Sequence, residues 1–282
     1  MRILARRDPI DPLWRDAMPE VVVGDVNNAH ALLRLCDGAD VVFHAAGLVK
    51  ARSRAAFDAV NVEGSRNVAL AAGDAAQVVL VSSLTAREPQ LSHYAASKHA
   101  GEVAMAGILG GRLTVARPCA IYGPGDRELL GVFQAADSLP YLPILSLSGR
   151  VSMIHVEDAA RQIVALATAP AQGQTVALCD ARLGGYSWRD LMGAAARACG
   201  RTIRLVAVAP ALIRAIGITN DFTKLLGATP MLSSAKTREL LHPDWSITAD
   251  DGSAYGPEPI YDLDTGFART VDWYRTAAWM KQ

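Results

Sequence analysis

From Val78 to Glu102 the chain reads VVLVSSLTAREPQLSHYAASKHAGE. Val78–Val81 are strong β-formers and make a short buried strand that ends in Ser82 and Ser83. Ser92 then opens a helix running to Leu109, which carries Tyr94 and, four residues on, Lys98. Residues i and i+4 share a helix face, so the phenol and the ammonium can meet. A free phenol titrates near 10 and exchanges protons poorly at neutral pH; a neighbouring ammonium favours the phenolate. Lowering the phenol by about three units takes about 4 kcal/mol of differential interaction. A hydroxyl at the strand end, Ser83, is suited to hydrogen-bond a substrate carbonyl or hydroxyl. With seven tyrosines and five lysines in the sequence, a pair at this spacing arises by chance roughly one time in eight, so the context carries the argument. That context is the pair of strand-end serines and a helix of small residues (Ala95, Ala96, Ser97, Ala100, Gly101) that a ligand can approach closely.

The same alternation extends outward. Ile3–Ala5 and Glu20–Val23 read as strands, Ala29–Leu35 as a helix, Asp40–Ala45 as a strand, Arg54–Ala72 as a long helix and Leu113–Ala116 as a strand. Runs of Val, Ile and Leu separated by helices argue an α/β protein with a parallel sheet and crossover helices. Beyond about residue 170 the texture changes. A strand at Thr175–Leu178 precedes a helix from Ser187 to Ala198 and a strand at Ile203–Val206. A middle punctuated by Pro and Gly follows, then a final helix from Asp264 to Met280, with Asp264 as its cap and an aromatic core face. The expected division is a first domain over 1–168 and a smaller α+β domain over 169–282.

Apolar residues make up 51% and charged residues 20% of 282, which excludes a disordered or fibrous chain. Lys+Arg and Asp+Glu are both 28, a balance that lends no support to a nucleic-acid or anionic-membrane partner. Cys36, Cys119, Cys179 and Cys199 form no C-x-x-C and cluster with no His at metal spacing, so they read as buried thiols of a reducing compartment, with no metal. No apolar run approaches the ~18–20 residues of a membrane span, and Arg2 to Asp8 lacks a signal-peptide pattern. The expectation is a soluble cytoplasmic protein.

Seven segments, in order, carry a family resemblance. They are Val23-Gly24-Asp25-Val26, Val42 to Gly47, Asn61 to Gly64, the set Ser83, Tyr94 and Lys98, then Arg117 to Asp126, Ile154 to Asp158, and Val271 to Tyr274. Together they resemble the extended short-chain dehydrogenase/reductases, the NAD-dependent epimerase/dehydratases, along almost the whole chain. The resemblance implies a Rossmann-like doubly wound parallel sheet with a C-terminal substrate domain. It implies Asp25 and Val26 at the adenine, Ala45, Ala46 and Gly47 beside the cofactor, and Pro118 and Ile121 as walls of the nicotinamide. Tyr94 becomes the proton donor and acceptor, Lys98 lowers its pKa and holds the nicotinamide ribose, and Ser83 orients the substrate oxygen. A homodimer through helices 54–72 and 92–109 is compatible with their Ala-rich faces. Read alone, several of these residues also fit structural roles: Asp25 a turn cap, His44 a core histidine, Asn61 a backbone partner, His155 and Asp158 a strand end and a helix cap.

One part of the family pattern is missing. A dinucleotide fold starts with a strand, a glycine-rich turn and a helix whose N-terminus holds the pyrophosphate. This chain opens at what looks like the second strand, and Gly107, Gly110 and Gly111 follow a helix instead. The first strand is central in a 3-2-1-4-5-6 order, so its loss leaves buried backbone groups unpaired, each costing about 1–3 kcal/mol. The expectation is a sheet missing its first β-α unit, with about 30 upstream residues in the native protein; the alternative is a degenerate relative. Arg6 and Arg7 close the strand that would meet the adenosine ribose. Arginine there suits a 2′-phosphate, hence NADP over NAD. Nucleotide-sugar members carry Asn where this chain has Ala120, and Leu205–Val208, Ala211–Ile213 and Ile216–Ile218 give the second domain an apolar tone. The expected function is hydride transfer between NADP(H) and a carbonyl or secondary alcohol of a small apolar substrate. The alternatives are a nucleotide-sugar epimerase/dehydratase and a non-catalytic structural or sensing relative.

Overall fold

The computed structural model describes residues 1–7, 17–74, 76–169, 171–225, 234–251 and 256–281. The chain forms two compact units, residues 1–116 with 166–175, and residues 117–165 with 176–282. This differs from a single cut after residue 168, because ten residues return to the first unit. Gln77 Nε2 donates to Leu166 O (3.2 Å) and Ala169 O (2.9 Å), and Val115 N–H donates to Gln174 O (2.8 Å).

In the first unit β1 (Arg2–Ala5) pairs in parallel with β2 (Glu20–Val23), Ala5 opposite Val23. The helix α1 (Ala29–Cys36) is capped by Asn28, whose Oδ1 accepts from Ala31 N–H at 3.0 Å. At its other end the Arg2 guanidinium donates to Arg34 O, Leu35 O and Asp37 O, a cation at the carbonyl end of the helix dipole. β3 (Val41–His44) follows. The expected helix 54–72 is interrupted: α2 (Arg54–Asp58) and α3 (Gly64–Ala71) are joined by one π turn, Ala59–Glu63. Then come β4 (Gln77–Val81), α4 (His93–Leu109, capped by Ser92) and β5 (Leu113–Pro118). β3, β4 and β5 pair in parallel, Val42 opposite Val78 and Val78 opposite Leu113. Val78 and Val79 are fully buried, as covered parallel strands require. Among the described residues no strand pairs with the outer edge of β1 or of β3. A doubly wound order sets one strand between those edges.

The second unit contains β6 (Ala120–Tyr122), α5 (Leu130–Ser138), β7 (Tyr141–Ile144), β8 (Arg150–Val151), β9 (Met153–His155) and α6 (Val156–Thr168). It continues with β10 (Thr175–Leu178), β11 (Tyr186–Ser187), α7 (Trp188–Ala198), β12 (Arg204–Ala207), α8 (Pro210–Leu225), α9 (Ser234–Leu240), β13 (Asp244–Trp245) and α10 (Leu263–Thr276). Its core is aromatic: Phe267 meets Tyr122 and Phe133 edge-on at 4.9 and 5.0 Å, the favoured geometry for aromatic pairs. Asp262, not Asp264, caps α10, accepting from Thr265 N–H at 2.8 Å; Asp264 lies in the first turn and pairs with Arg197 at 2.6 Å. The segment that reads as punctuated holds a 16-residue helix, α8. Pro210 sits at its first position, where proline is tolerated, while isoleucines, threonines and a central glycine mask its propensity.

Candidate active site

The sequence-derived residues of the first unit collect at the C-terminal ends of its parallel strands. Arg6 and Arg7 follow β1 and are exposed; Asp25 and Val26 follow β2; Ala45, Ala46 and Gly47 follow β3 and are exposed; Ser82 and Ser83 follow β4. This is the edge where doubly wound sheets take their ligands. The π turn and α3 together tie two of these loops, those after β2 and β3. Asn67 Nδ2 on α3 donates to Val26 O at 3.1 Å. Any Cβ on Gly64 would lie 2.5 Å from Val26 Cγ2, so glycine permits that approach. A Cβ on Gly47 would stand 3.4 Å from Asn61 Oδ1 and 3.6 Å from Lys98 Nζ. The loop after β3 thus lies against both side chains.

Asn61 occupies the π turn, a local widening that is frequent at functional sites. Its Oδ1 accepts from Leu48 N–H at 2.7 Å. Its Nδ2 donates to Leu48 O at 3.0 Å and to Ser97 Oγ at 2.9 Å. Ser97 in turn donates to Tyr94 O at 2.8 Å. Asn61 therefore holds the loop after β3 against the first turn of α4. The Asn61-to-Gly64 motif drew attention to this residue without giving it that task; only the fold brings Leu48 and Ser97 to it.

Tyr94 is half-buried in the first turn of α4, its ring 6.2 Å from that of Phe57. Lys98 is buried one turn further, and its Nζ donates to Val81 O at the end of β4 (2.9 Å). Burial pulls its pKa down to about 8, opposed by the carboxylate of Glu102. Glu102 is itself buried and accepts from the Ser82 hydroxyl. Tyr94, Lys98 and Glu102 are spaced i, i+4, i+8 along one helix face. No motif in the sequence singles out Glu102; the i, i+4, i+8 spacing is the one signal that points to it. Ser83 Oγ accepts from Thr85 Oγ1 at 2.9 Å and Thr85 N–H at 3.3 Å. Both bonds use it as an acceptor, so its own proton is available to donate.

His44 is a core histidine. It is 3% exposed, and its Nε2 lies 3.0 Å from Ser65 Oγ. Ser65 gives its proton to Asn61 O at 2.7 Å, so His44 is the donor of that pair. Burial, then the charge of Lys98, push its pKa down to about 4. Asp25 is exposed and accepts from Asn27 N–H at 2.8 Å, which makes it a turn residue whether or not it also meets a ligand.

In the second unit Pro118 is buried and Ile121, in β6 opposite Ile154, is exposed. His155 ends β9 and packs against the ring of Tyr261, centroids 4.0 Å apart and planes tilted by 36°. Asp158 is buried in the first turn of α6 and accepts from Ile260 N–H and Tyr261 N–H, both at 3.0 Å, and from Arg161; it clasps the strand of chain ahead of α10. A cleft of about 590 Å³ has Asp180, Arg182, Tyr186, Arg197, Tyr261 and Asp262 among its lining residues. Asp180 accepts from Tyr186 OH at 2.6 Å, and burial pushes its pKa up. The four cysteines are free and buried, and the described residues hold no metal-binding cluster.

A strand-end hydroxyl, a phenol and a buried ammonium can exchange one proton with an oxygen held between them. The loop after β3 is exposed at Ala45, Ala46 and Gly47, and Gly47 lies against Lys98. No glycine-rich strand-to-helix turn joins the set among the described residues.

Comparison with known proteins agrees with this reading of the fold. The sequence profile described as the NAD dependent epimerase/dehydratase family matches residues 2–179. Ceramide reductase of Caulobacter vibrioides (strain NA1000 / CB15N) is 47% identical over 281 residues, 99% of this chain and 88% of that protein. The crystal structure of gox2253 has a TM-score of 0.76 at 18% identity, covering 99% of this chain and 92% of that one. A double mutant of DesIV, a dTDP-glucose 4,6-dehydratase from Streptomyces venezuelae with NAD and DAU bound, has a TM-score of 0.67 at 21% identity, covering 96% and 84%. At these identities the two structures share a fold with this chain, the Rossmann fold, and lend it no substrate.

Proposed function

The chain belongs to the NAD dependent epimerase/dehydratase family, and on that premise we propose that it is an NADP(H)-dependent reductase of an apolar carbonyl compound. The observation that carries the reading is the buried ammonium of Lys98 on the same face of α4 as Tyr94, with Ser83 at the end of the adjoining strand. The 47% identity to a protein named ceramide reductase makes a ceramide-class ketone the first substrate to try. Ala120 in place of an asparagine favours this over a nucleotide sugar.

Ser83 donates to the substrate oxygen and fixes its direction. Tyr94 delivers a proton to that oxygen during reduction and takes it back during oxidation. Lys98 stabilises the phenolate, and Glu102 keeps Lys98 charged in spite of its burial. The nicotinamide cofactor, when bound, supplies or accepts the hydride. Lys98 would hold its ribose, Ala45, Ala46 and Gly47 would line it, and Asp25 and Val26 would meet the adenine. Arg6 and Arg7 would take a 2′-phosphate, while Pro118 and Ile121 would wall the nicotinamide. The second unit, residues 117–165 with 176–282, forms the substrate domain in this reading. Leu70 on α3 and Val103 on α4, 59% and 60% exposed, support a homodimer through those helices. The protein acts in the cytoplasm.

The test is cofactor oxidation with a ceramide-class ketone. NADPH is expected to turn over faster than NADH, and Arg6→Glu with Arg7→Glu is expected to reverse the order. Thermal stabilisation by a UDP-sugar without ketone reduction would move the assignment to the nucleotide-sugar class. Absence of binding to either cofactor would leave a non-catalytic relative.

A further inference from the structure

The even charge of the whole chain conceals a local imbalance in the second unit. β12 pairs in parallel with β7, Arg204 opposite Tyr141 and Val206 opposite Pro143. β12 then runs into α8 through a bond from Val208 N–H to Ile144 O at 3.1 Å. On this continuous stretch Tyr141, Val206, Leu212, Ile216 and Ile218 are 55, 49, 57, 41 and 55% exposed. Ile213 is buried, so α8 docks by one face and turns Leu212 and Ile216, one helical turn apart, to the outside. Exposed arginines stand among these side chains at 201, 204 and 214. Residues 139–151 and 200–220 contain no Asp or Glu. A cleft of about 600 Å³ opens here, lined by Pro140, Tyr141, Thr202, Ile203, Arg204 and Val206.

The two properties together select the partner. A second copy meeting this face across a two-fold axis would set arginine against arginine. A nucleic acid would use the arginines and leave the leucine and isoleucines in water. An anionic bilayer satisfies both, because its phosphates meet the cations and its interface takes the aliphatic and tyrosine side chains. No helix among the described residues is long and apolar enough to cross a membrane, so attachment would be at the surface. We propose that the β7–β12–α8 face docks on an anionic lipid bilayer, with Arg204 and Tyr141 at the headgroups. The inference stands apart from the reductase reading, although a bilayer is where an apolar substrate would be met.

The full-length protein is mixed with vesicles of phosphatidylcholine and phosphatidylglycerol, or of phosphatidylcholine alone, and sedimented. It is expected to sediment with the anionic vesicles, less at high salt, and to stay in solution with the neutral ones. Arg201→Gln, Arg204→Gln and Arg214→Gln combined are expected to weaken partition on the order of 10²-fold, about fivefold per arginine. Leu212→Ser with Ile216→Ser is expected to weaken it at least about tenfold. Both variants should keep the melting temperature and the turnover of a water-soluble ketone. Failure to bind anionic vesicles overturns the proposal, as does binding that neither variant changes. It is overturned too if wild type is a dimer that Leu212→Ser with Ile216→Ser makes monomeric while vesicle binding is unaltered. Loss of ketone turnover in wild type with vesicle binding intact would refute the reductase reading alone.

Discussion

The ligand edge of the first unit and the β7–β12–α8 face of the second invert the usual rule in opposite senses. At the first, polar groups are buried: His44, Asn61, Ser65, Ser97, Lys98 and Glu102 are each at most 8% exposed. At the second, leucine, isoleucine and valine stand in solvent. The buried set is tolerated because its members are hydrogen-bonded to one another or to nearby backbone and Ser82, with Asn61 alone making three side-chain bonds; an unsatisfied member would cost about 1–3 kcal/mol. The exposed set has no such internal compensation. Buried polar groups that are fully paired position chemistry, and exposed apolar groups that are unpaired await a surface. The contrast teaches that a departure from inside-apolar, outside-polar is informative in either direction.

Three experiments break or sharpen this contrast. The largest effect falls at Tyr94. Tyr94→Phe keeps the ring and removes the proton, so kcat should fall about 10²–10⁴-fold while the Kd for NADPH, read by fluorescence titration, stays near wild type. Retained turnover would reduce the buried network to scaffolding. The second effect is on stability. His44 titrates near 4 in the folded chain and near 6.5 when unfolded, so between those values the unfolded state binds more protons. The stability is complete above about pH 6.5 and is lost as pH falls toward about 4, on the order of 3 kcal/mol from this residue. Urea denaturation at both ends of that window should show a smaller difference in His44→Gln than in wild type. The smallest effect belongs to the other face. Leu212→Ser and Ile216→Ser, made singly, should each change the unfolding free energy by no more than about 0.5 kcal/mol, because both side chains are exposed. A large loss there would mean that the face is core covered by the chain's own residues.

Much of the first unit was legible in the amino-acid order. β4 and α4 show because four β-formers, a capping serine and a small-residue helix each speak locally. The π turn does not show: one extra residue in a helical turn leaves the spacing of Phe57, Val60 and Val68 looking helical. Asn61 and Glu102 acquire their roles only from Leu48, Ser97 and Ser82, which lie far off in sequence. In α8 the isoleucines, threonines and Gly217 obscure the period, and Leu212, Ile216 and Ile218 are exposed while Ile213 is buried, so no clean amphipathic stripe marks it. At α10 the choice between Asp262 and Asp264 as cap turns on backbone angles that two aspartates so close together do not reveal.

The return of residues 166–175 to the first unit bears on how the chain is made. Gln77 finds its acceptors at Leu166 and Ala169, and Val115 finds its own at Gln174. A ribosome adding about 5–20 residues per second needs about 3–12 s to pass from residue 117 to residue 175. For that interval β4 and its neighbour β5 have been made without their last partners. The first unit begins first and is completed only after residues 117–165 of the other have been translated, so nascent-chain protection should be needed longest for the sequence made earliest.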